Sequence, residues 1–417
     1  YWGPLRPLVQ RFLGPDAQLP ALYNSFPAAV LVLSLATYPY VYLLSRAAFL
    51  RTNIAFEEAA RLSGAGRLRS WLRVVLPMQR PAIVAGLFLV CLYVMADFGA
   101  VSILRYSTFT RAVYVQMAGR YDLMGAAALS LMLVVLSLAM FAAERHFRRR
   151  SRFYQTTAGY RTGDRAALGR AQSVLTFCCC SVVFGFGFGV PVAHLGVEAV
   201  TYIGQGALDS AFWGYARNSF LGAAAAATVA VAFALPLAYV ALRRPGRGHE
   251  LLLHASYAGY VLPGPIIALG LIFCTAQLMA PLYGTVAVVV LAYVVRFFPQ
   301  CLQAGEAALH QITPSLEEAG RSNGVPLWRV LYRVTLPLMR PGLVTGWVLV
   351  FVNAMKELPA TLLLRPVGFD TLAVRIWIET SEEFYAQAAP AALLLILVTL
   401  PLLAFAMAYG SVQRSAA

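Results

Sequence analysis

Residues 57–105 read EEAARLSGAGRLRSWLRVVLPMQRPAIVAGLFLVCLYVMADFGAVSILR, and residues 317–365 read EEAGRSNGVPLWRVLYRVTLPLMRPGLVTGWVLVFVNAMKELPATLLLR. The two stretches align without a gap at an offset of 260, with 20 of 49 positions identical. Self-similarity over that length marks two copies of one architectural unit. Each copy opens on a polar stretch bearing Glu and Arg. Behind Pro81 or Pro341 it becomes apolar for about 20 residues, the length that crosses the hydrocarbon core of a bilayer as a helix. The predicted fold class is an all-α polytopic membrane bundle of two repeats.

The rest of the chain has the same texture. Hydrophobic residues make up 60% and charged residues 12%, where a soluble domain carries about 25% charged residues. That excludes a water-soluble enzyme, a disordered scaffold and a coiled coil. Nine spans are predicted: 25–44, 81–100, 124–143, 174–197, 219–242, 251–271, 282–302, 341–363 and 386–408. The 33 basic residues are 32 Arg and one Lys, Lys356. Alternating the loops puts 23 of them on one side, with the duplicated polar stretches, and eight on the other. The first side is therefore expected to be cytoplasmic, and the C-terminus with it. The net charge of +15 is then a topology signal beside anionic lipid, not a nucleic-acid footprint.

Six spans separate equivalent points of the repeat. An even number restores orientation, so the halves are parallel, with an expected pseudo-two-fold axis along the membrane normal. Such an axis offers a central pathway and two equivalent cytoplasmic faces for a two-fold partner. The second half has four spans before its polar stretch, the first half one. The offset carries Val174 to −86. The reading therefore expects about 90 residues and three spans ahead of Tyr1, making the first repeat N-terminally truncated. The expected organisation is a first repeat over 1–143 with its loop at 48–80, an Arg-rich cytoplasmic linker over 144–173, and a second repeat over 174–417 with its loop at 303–340.

Within the loops, Glu57-Glu58-Ala59-Ala60 precedes Gly64 and Leu76-Pro77, and Glu317-Glu318-Ala319-Gly320 precedes Gly324 and Leu336-Pro337, at identical spacing. The pattern predicts two short helices joined at a glycine. Thr313-Pro314 supplies an N-cap with Pro at N1. Gly324 and Pro326 end the first helix. Trp328, Leu331, Tyr332 and Thr335 continue at helical spacing beside Arg329 and Arg333, and Pro337 is expected to end the second helix. A helix-turn-helix lying against the cytoplasmic side can insert into a groove of a partner. A lone Glu pair would more simply bridge neighbouring Arg residues. Duplication on the same side favours docking.

These segments resemble the EAA motif of ABC-transporter permeases, with Glu58-Ala59-Ala60 intact in the first half and Glu318-Ala319-Gly320 in the second. The stretches at 38–50, 144–161, 262–273 and 355–377 resemble more narrowly the fused two-domain permeases of ferric-iron uptake systems. The resemblance covers nearly the whole chain. It implies a type I ABC permease fold in a bacterial inner membrane. It also implies two partners, an ATP-binding cassette subunit dimer and a periplasmic iron-binding protein. Glu57, Glu58, Ala59 and Gly64, with Glu317, Glu318, Ala319 and Gly324, would couple the chain to the ATPase. Relatives of similar build handle thiamine, phosphonate or polyamine. The chain has no GxxxxGK[ST], so ATP is expected on the partner, with no cofactor and no enzymatic site here. A carrier driven by an ion gradient is the competing reading; it needs no paired docking loops. An intramembrane enzyme would need a nucleophile and base, or a metal pair, at matching depth.

Three ionisable residues fall in the spans that follow the motifs: Asp97, Lys356 and Glu357. Asp97 and Glu357 are equivalent at the 260 offset, each 16 residues beyond Pro81 or Pro341, about 24 Å along a helix. They are expected on opposite sides of the axis near the outer mouth, where carboxylates suit a hard trivalent cation. Interfacial solvation, or a pair with Lys356, is the alternative. Arg296 is expected to reach toward headgroups from its span. The five His form no cluster, and the six Cys form neither a disulfide framework nor a zinc set. Cys178–Cys180 reads as lipid-facing or packing filler.

Overall fold

In the computed structural model, residues 24–414 are described apart from 51, 151–167, 207, 244–245, 258 and 260–261. The described residues are helical with no β-strand. Helix α1 spans Phe26–Leu50, the short α2 Ala55–Leu62, and α3 Arg67–Ala96. After them come the short α4 (Gly99–Ile103) and α5 (Phe109–Tyr114), then α6 (Leu123–Arg150). The second half begins with α7 (Arg170–Gly204), α8 (Ala211–Arg243), α9 (Arg247–Ser256) and α10 (Gly264–Leu278). It continues with α11 (Val286–His310), α12 (Pro314–Ser322), α13 (Leu327–Met355), α14 (Pro359–Leu364), α15 (Leu372–Ser381) and α16 (Tyr385–Arg414).

The repeat persists element by element. Helices α1 and α11 are both 25 residues long, start 260 residues apart, and carry Pro39 and Pro299 at the same register. Each packs on its successor at a glycine. A Cβ on Gly86 of α3 would lie 2.8 Å from Val41 Cα, and one on Gly346 of α13 would lie 3.2 Å from Cys301 Cα. Val41 and Cys301 are themselves 260 apart. A missing side chain lets two backbones approach, the usual means by which helices associate in lipid.

The chain forms two compact units, the first comprising the described residues to Phe109 with Leu131–Ala193, the second Thr110–Ser130 with His194 onward. In the first, α1 packs along α3. In the second, α8, α11 and α13 pack on one another around Tyr293, Leu302 and Phe351. The face of α8 toward them is alanine: Ala223, Ala226, Ala227, Ala230, Ala234 and Ala238 are fully buried.

Among the described residues, eight helices are long and apolar enough to cross a membrane: α1, α3, α6, α7, α8, α11, α13 and α16. The predicted span at 251–271 is not among them. It is divided into α9 and α10, with Leu262 and Pro263 between them. The sequence LPGP explains the break, since proline lacks an N–H and disfavours the helical conformation in the residue before it. The divided element still runs the length of α11. Tyr257 donates to Glu306 Oε2 at 2.8 Å, Gly264 abuts Arg296, and seven residues separate α10 from α11. A broken helix buried against protein is tolerated at membrane depth.

The spans that follow the motifs also differ from expectation. They were expected at 81–100 and 341–363, but α3 and α13 begin earlier, at Arg67 and Leu327, and stop at Ala96 and Met355. Pro337 does not end a separate helix. Residues Trp71–Val75 and Leu331–Thr335 each form one π-turn, and the helix continues through it. Leu76 N–H bonds the Trp71 carbonyl and Leu336 N–H the Leu331 carbonyl, five residues back. The wider turn sits where Pro77 and Pro337 cannot supply an N–H, so the helix bends its register instead of breaking.

Candidate functional site

Both motif helices end in the same backbone structure. Gly64 has φ +85° and Gly324 φ +75°. Gly64 N–H bonds the Arg61 carbonyl at 3.0 Å and Ala65 N–H the Ala60 carbonyl at 3.1 Å; Gly324 and Val325 repeat this on Arg321 and Gly320 at 2.9 and 3.3 Å. That pair of bonds is a Schellman close, which places its C′ residue in the left-handed region. A Cβ at either glycine would meet nothing within 4 Å. The requirement for glycine is therefore conformational, not steric.

The starts of the two helices differ. Thr313 is the N-cap of α12 with Pro314 at its first turn, as the spacing predicts, but its side chain makes no cap bond and instead accepts from Ser315 Oγ at 3.0 Å. In the first repeat Asn53 Oδ1 accepts from Ala55 N–H at 3.1 Å.

The adjacent glutamates separate by role. Glu58 and Glu318 are exposed, as are Ala59 and Ala319. Glu317 is 6% exposed. Its Oε2 accepts from Tyr239 Oη at 3.0 Å, and its Oε1 accepts from Thr335 Oγ1 at 3.1 Å and Arg243 Nη2 at 3.4 Å. Arg243 Nη2 also donates to the Ile312 carbonyl at 2.8 Å. Beneath them pack Leu309, Ile312, Met339 and Leu343. Glu57, the equivalent residue, is half-buried and pairs with Arg61 one turn on. Beyond the glycines, the two loops expose different side chains at one register. Trp328 and Tyr332 are 64% and 69% exposed, while Leu68 and Leu72 take those places in the first repeat.

At the far end of α13, Glu357 is 5% exposed, and its Oε1 lies 2.8 Å from Arg296 Nη1. The same oxygen accepts from Ala360 N–H at 3.3 Å at the start of α14. Thr361 Oγ1 donates to the Glu357 carbonyl at 2.8 Å and lies 2.6 Å from Tyr293 Oη. Arg296 thus turns inward to a carboxylate, not outward to headgroups as expected, because an unpaired buried Glu357 would be costly. Lys356 is exposed beside it. Asp97 stands at the corresponding end of α3, and its Oδ2 accepts from Val101 N–H at 3.2 Å. Both carboxylates cap the short helix that follows. Among the described residues no three His, Cys, Asp or Glu gather as a metal set.

Tyr239, Arg243 and Gly264 were not singled out from sequence, and Thr335 entered only as one residue of a helical row. Arg243 looks like one more topology-setting charge at a span end, and 74 residues separate it from Glu317. No local spacing carries that contact.

Comparison with known proteins gives a consistent answer. Residues 7–153 and 230–414 match a family described as binding-protein-dependent transport system inner membrane component. The chain is 31% identical over 369 residues to the Fe(3+)-transport system permease protein FbpB 2 of Haemophilus influenzae, covering 88% of this chain and 73% of that protein. It is 28% identical to the putative ferric transport system permease protein FbpB 1 of the same organism, over 83% of this chain and 57% of the relative. With the ferric transport system permease protein FbpB of Actinobacillus pleuropneumoniae the identity is 27%, over 89% and 56%. The chain thus spans little more than half the length of two of these relatives.

Proposed function

Because this chain belongs to the family of binding-protein-dependent transport system inner membrane components, we propose that it is the membrane-spanning permease of an ATP-driven importer and that its solute is ferric iron. The observation that carries the proposal is the duplicated loop. Two helices 260 residues apart close on a left-handed glycine and expose the same Glu-Ala pair. A two-fold ATPase presents two equivalent grooves, and two such helices fit them. The ferric assignment comes from the relatives, whose names are those of iron permeases.

In this reading the motif side faces the cytoplasm, as the 23-to-8 distribution of basic residues supports, and the C-terminus lies there too. Residues 1–143 belong to the first permease repeat, 144–173 to the linker and 174–417 to the second. A periplasmic binding protein delivers iron to the opposite face. ATP stays on the partner subunits. Asp97 and Glu357 mark the outer ends of α3 and α13.

Reconstitution tests the proposal. The chain, its ATPase and its iron-binding protein in liposomes should accumulate ferric iron when ATP is supplied inside the ATPase-facing compartment. Accumulation that follows an imposed ion gradient and ignores ATP would assign the chain to the gradient-driven carriers instead.

A further inference from the structure

We infer that Glu317 is a positioning residue that mounts the second docking helix rigidly on the membrane helices, so that a push on that helix reaches them undiminished. This rests on reading the two loops as ATPase-docking elements.

The exposed face of α12 is Glu318-Ala319; Glu317 points the other way. Its two oxygens bind three side chains from two other elements: Tyr239 and Arg243 near the end of α8, and Thr335 in the π-turn that opens α13. Arg243 reaches on to the Ile312 carbonyl, in the connection from α11 to α12. One buried carboxylate therefore ties the docking helix to the segments leading into three membrane helices. The apolar residues beneath it come from the same elements. Hydrogen bonds to a charged, buried group are among the stronger ones, and a displaced partner would leave that charge unsatisfied. A displacement of α12 is thus passed to α8 and α13 and not absorbed at the joint.

The first loop is held differently among the described residues. The 260 offset carries Thr335 to Val75, which has no hydroxyl. Glu57 pairs along its own helix with Arg61, a bond that moves with the helix.

The test uses the whole transporter in proteoliposomes, with ATPase and iron-loaded binding protein, and reads three quantities: ATPase retained on purification, melting temperature of the complex, and ferric iron imported per ATP hydrolysed. Glu317→Gln keeps shape but removes the charge and replaces one acceptor oxygen with an N–H donor. It should retain ATPase while iron per ATP falls on the order of tenfold. Arg243→Lys should keep most of the ratio. If Glu317→Gln fails to insert, Tyr239→Phe removes one bond at nearly constant volume and should lower the ratio alone. An unchanged ratio in Glu317→Gln or Tyr239→Phe, or a ratio that in Tyr239→Phe falls only together with the melting temperature, would overturn the inference. Failure of the docking reading looks different. There, Ala319→Arg, on the exposed face, would leave ATPase retention and uptake intact.

Discussion

Arg296 Nη1 stands 2.8 Å from Glu357 Oε1, and Gly264 holds the space beside both. Three elements meet at this point: α10 through Gly264, α11 through Arg296, and the α13–α14 junction through Glu357. A Cβ on Gly264 would lie 2.0 Å from Arg296 Nη1 and 2.8 Å from Glu357 Oε1. The glycine of LPGP is therefore required by the ion pair, and the break between α9 and α10 is what brings it there.

The first prediction concerns this pair. Arg296→Met leaves a buried carboxylate without its counter-ion, which costs about 3–5 kcal/mol where it has been measured in soluble proteins. The variant should melt well below the parent in detergent. Adding Glu357→Gln should recover most of the loss, since no charge is then left uncompensated. Gly264→Ala should destabilise through the clash alone, by about 1–3 kcal/mol. A double variant no more stable than Arg296→Met would show that the pair is not what holds the junction.

A second prediction concerns the left-handed glycines. Gly324→Val imposes a β-branched side chain on φ +75°, a conformation such residues avoid. The chain should still insert, because the strain is confined to the loop, but co-purification of the ATPase and ATP-driven uptake should both drop. Gly324→Asn should retain more of each, since Asn tolerates this region better. Equal losses for Val and Asn would move the explanation from backbone to surface.

Much of this architecture is legible in the sequence. The gapless repeat at 260 gives the correspondence of α3 with α13 and of the two glycine turns, because span length and turn chemistry are written in local sequence. Pairings between distant helices were not. At one register of the repeat the α1–α3 contact is Tyr40 against Tyr93, with ring centroids 5.7 Å apart, and the α11–α13 contact is Asn353 Nδ2 donating to Gln300 Oε1 at 2.9 Å. Both serve the same contact with unlike chemistry, so no motif announces it. The continuous passage through Pro337 was hidden for another reason. Proline signals a break only when the ladder before it keeps α register, and the π-turn changes that register.

A third prediction addresses the outer carboxylates. Asp97→Asn should lower ferric uptake several-fold while ATPase retention stays near the parent; its bond to Val101 N–H can be kept by the amide oxygen. Glu357→Gln should act mainly on stability, through Arg296. Concentration-dependent uptake separates the two: a raised half-saturating concentration of loaded binding protein is expected for Asp97→Asn alone. Uptake unchanged in Asp97→Asn would leave both carboxylates as helix caps with no part in the path.

The last prediction concerns the π-turns. Leu331–Thr335 holds one more residue per turn than an α-helix would, and Pro337 follows it. Restoring an N–H with Pro337→Ala lets that amide bond the Arg333 carbonyl in α register, which competes with the five-residue bond from Leu336 to Leu331. Converting the turn rotates everything before it by about 100° relative to α13, one residue's worth of helix. Thr335 would then leave Glu317, and Trp328 and Tyr332 would face elsewhere. The variant should be at least as stable as the parent, since a proline is removed from a helix, yet import less iron per ATP. Amide exchange at Leu336 should slow as the turn tightens. A ratio equal to the parent's, with exchange at Leu336 unchanged, would mean that the π-turn is held by its surroundings and not by the proline. The residues to change next would then be Thr335 and Tyr239.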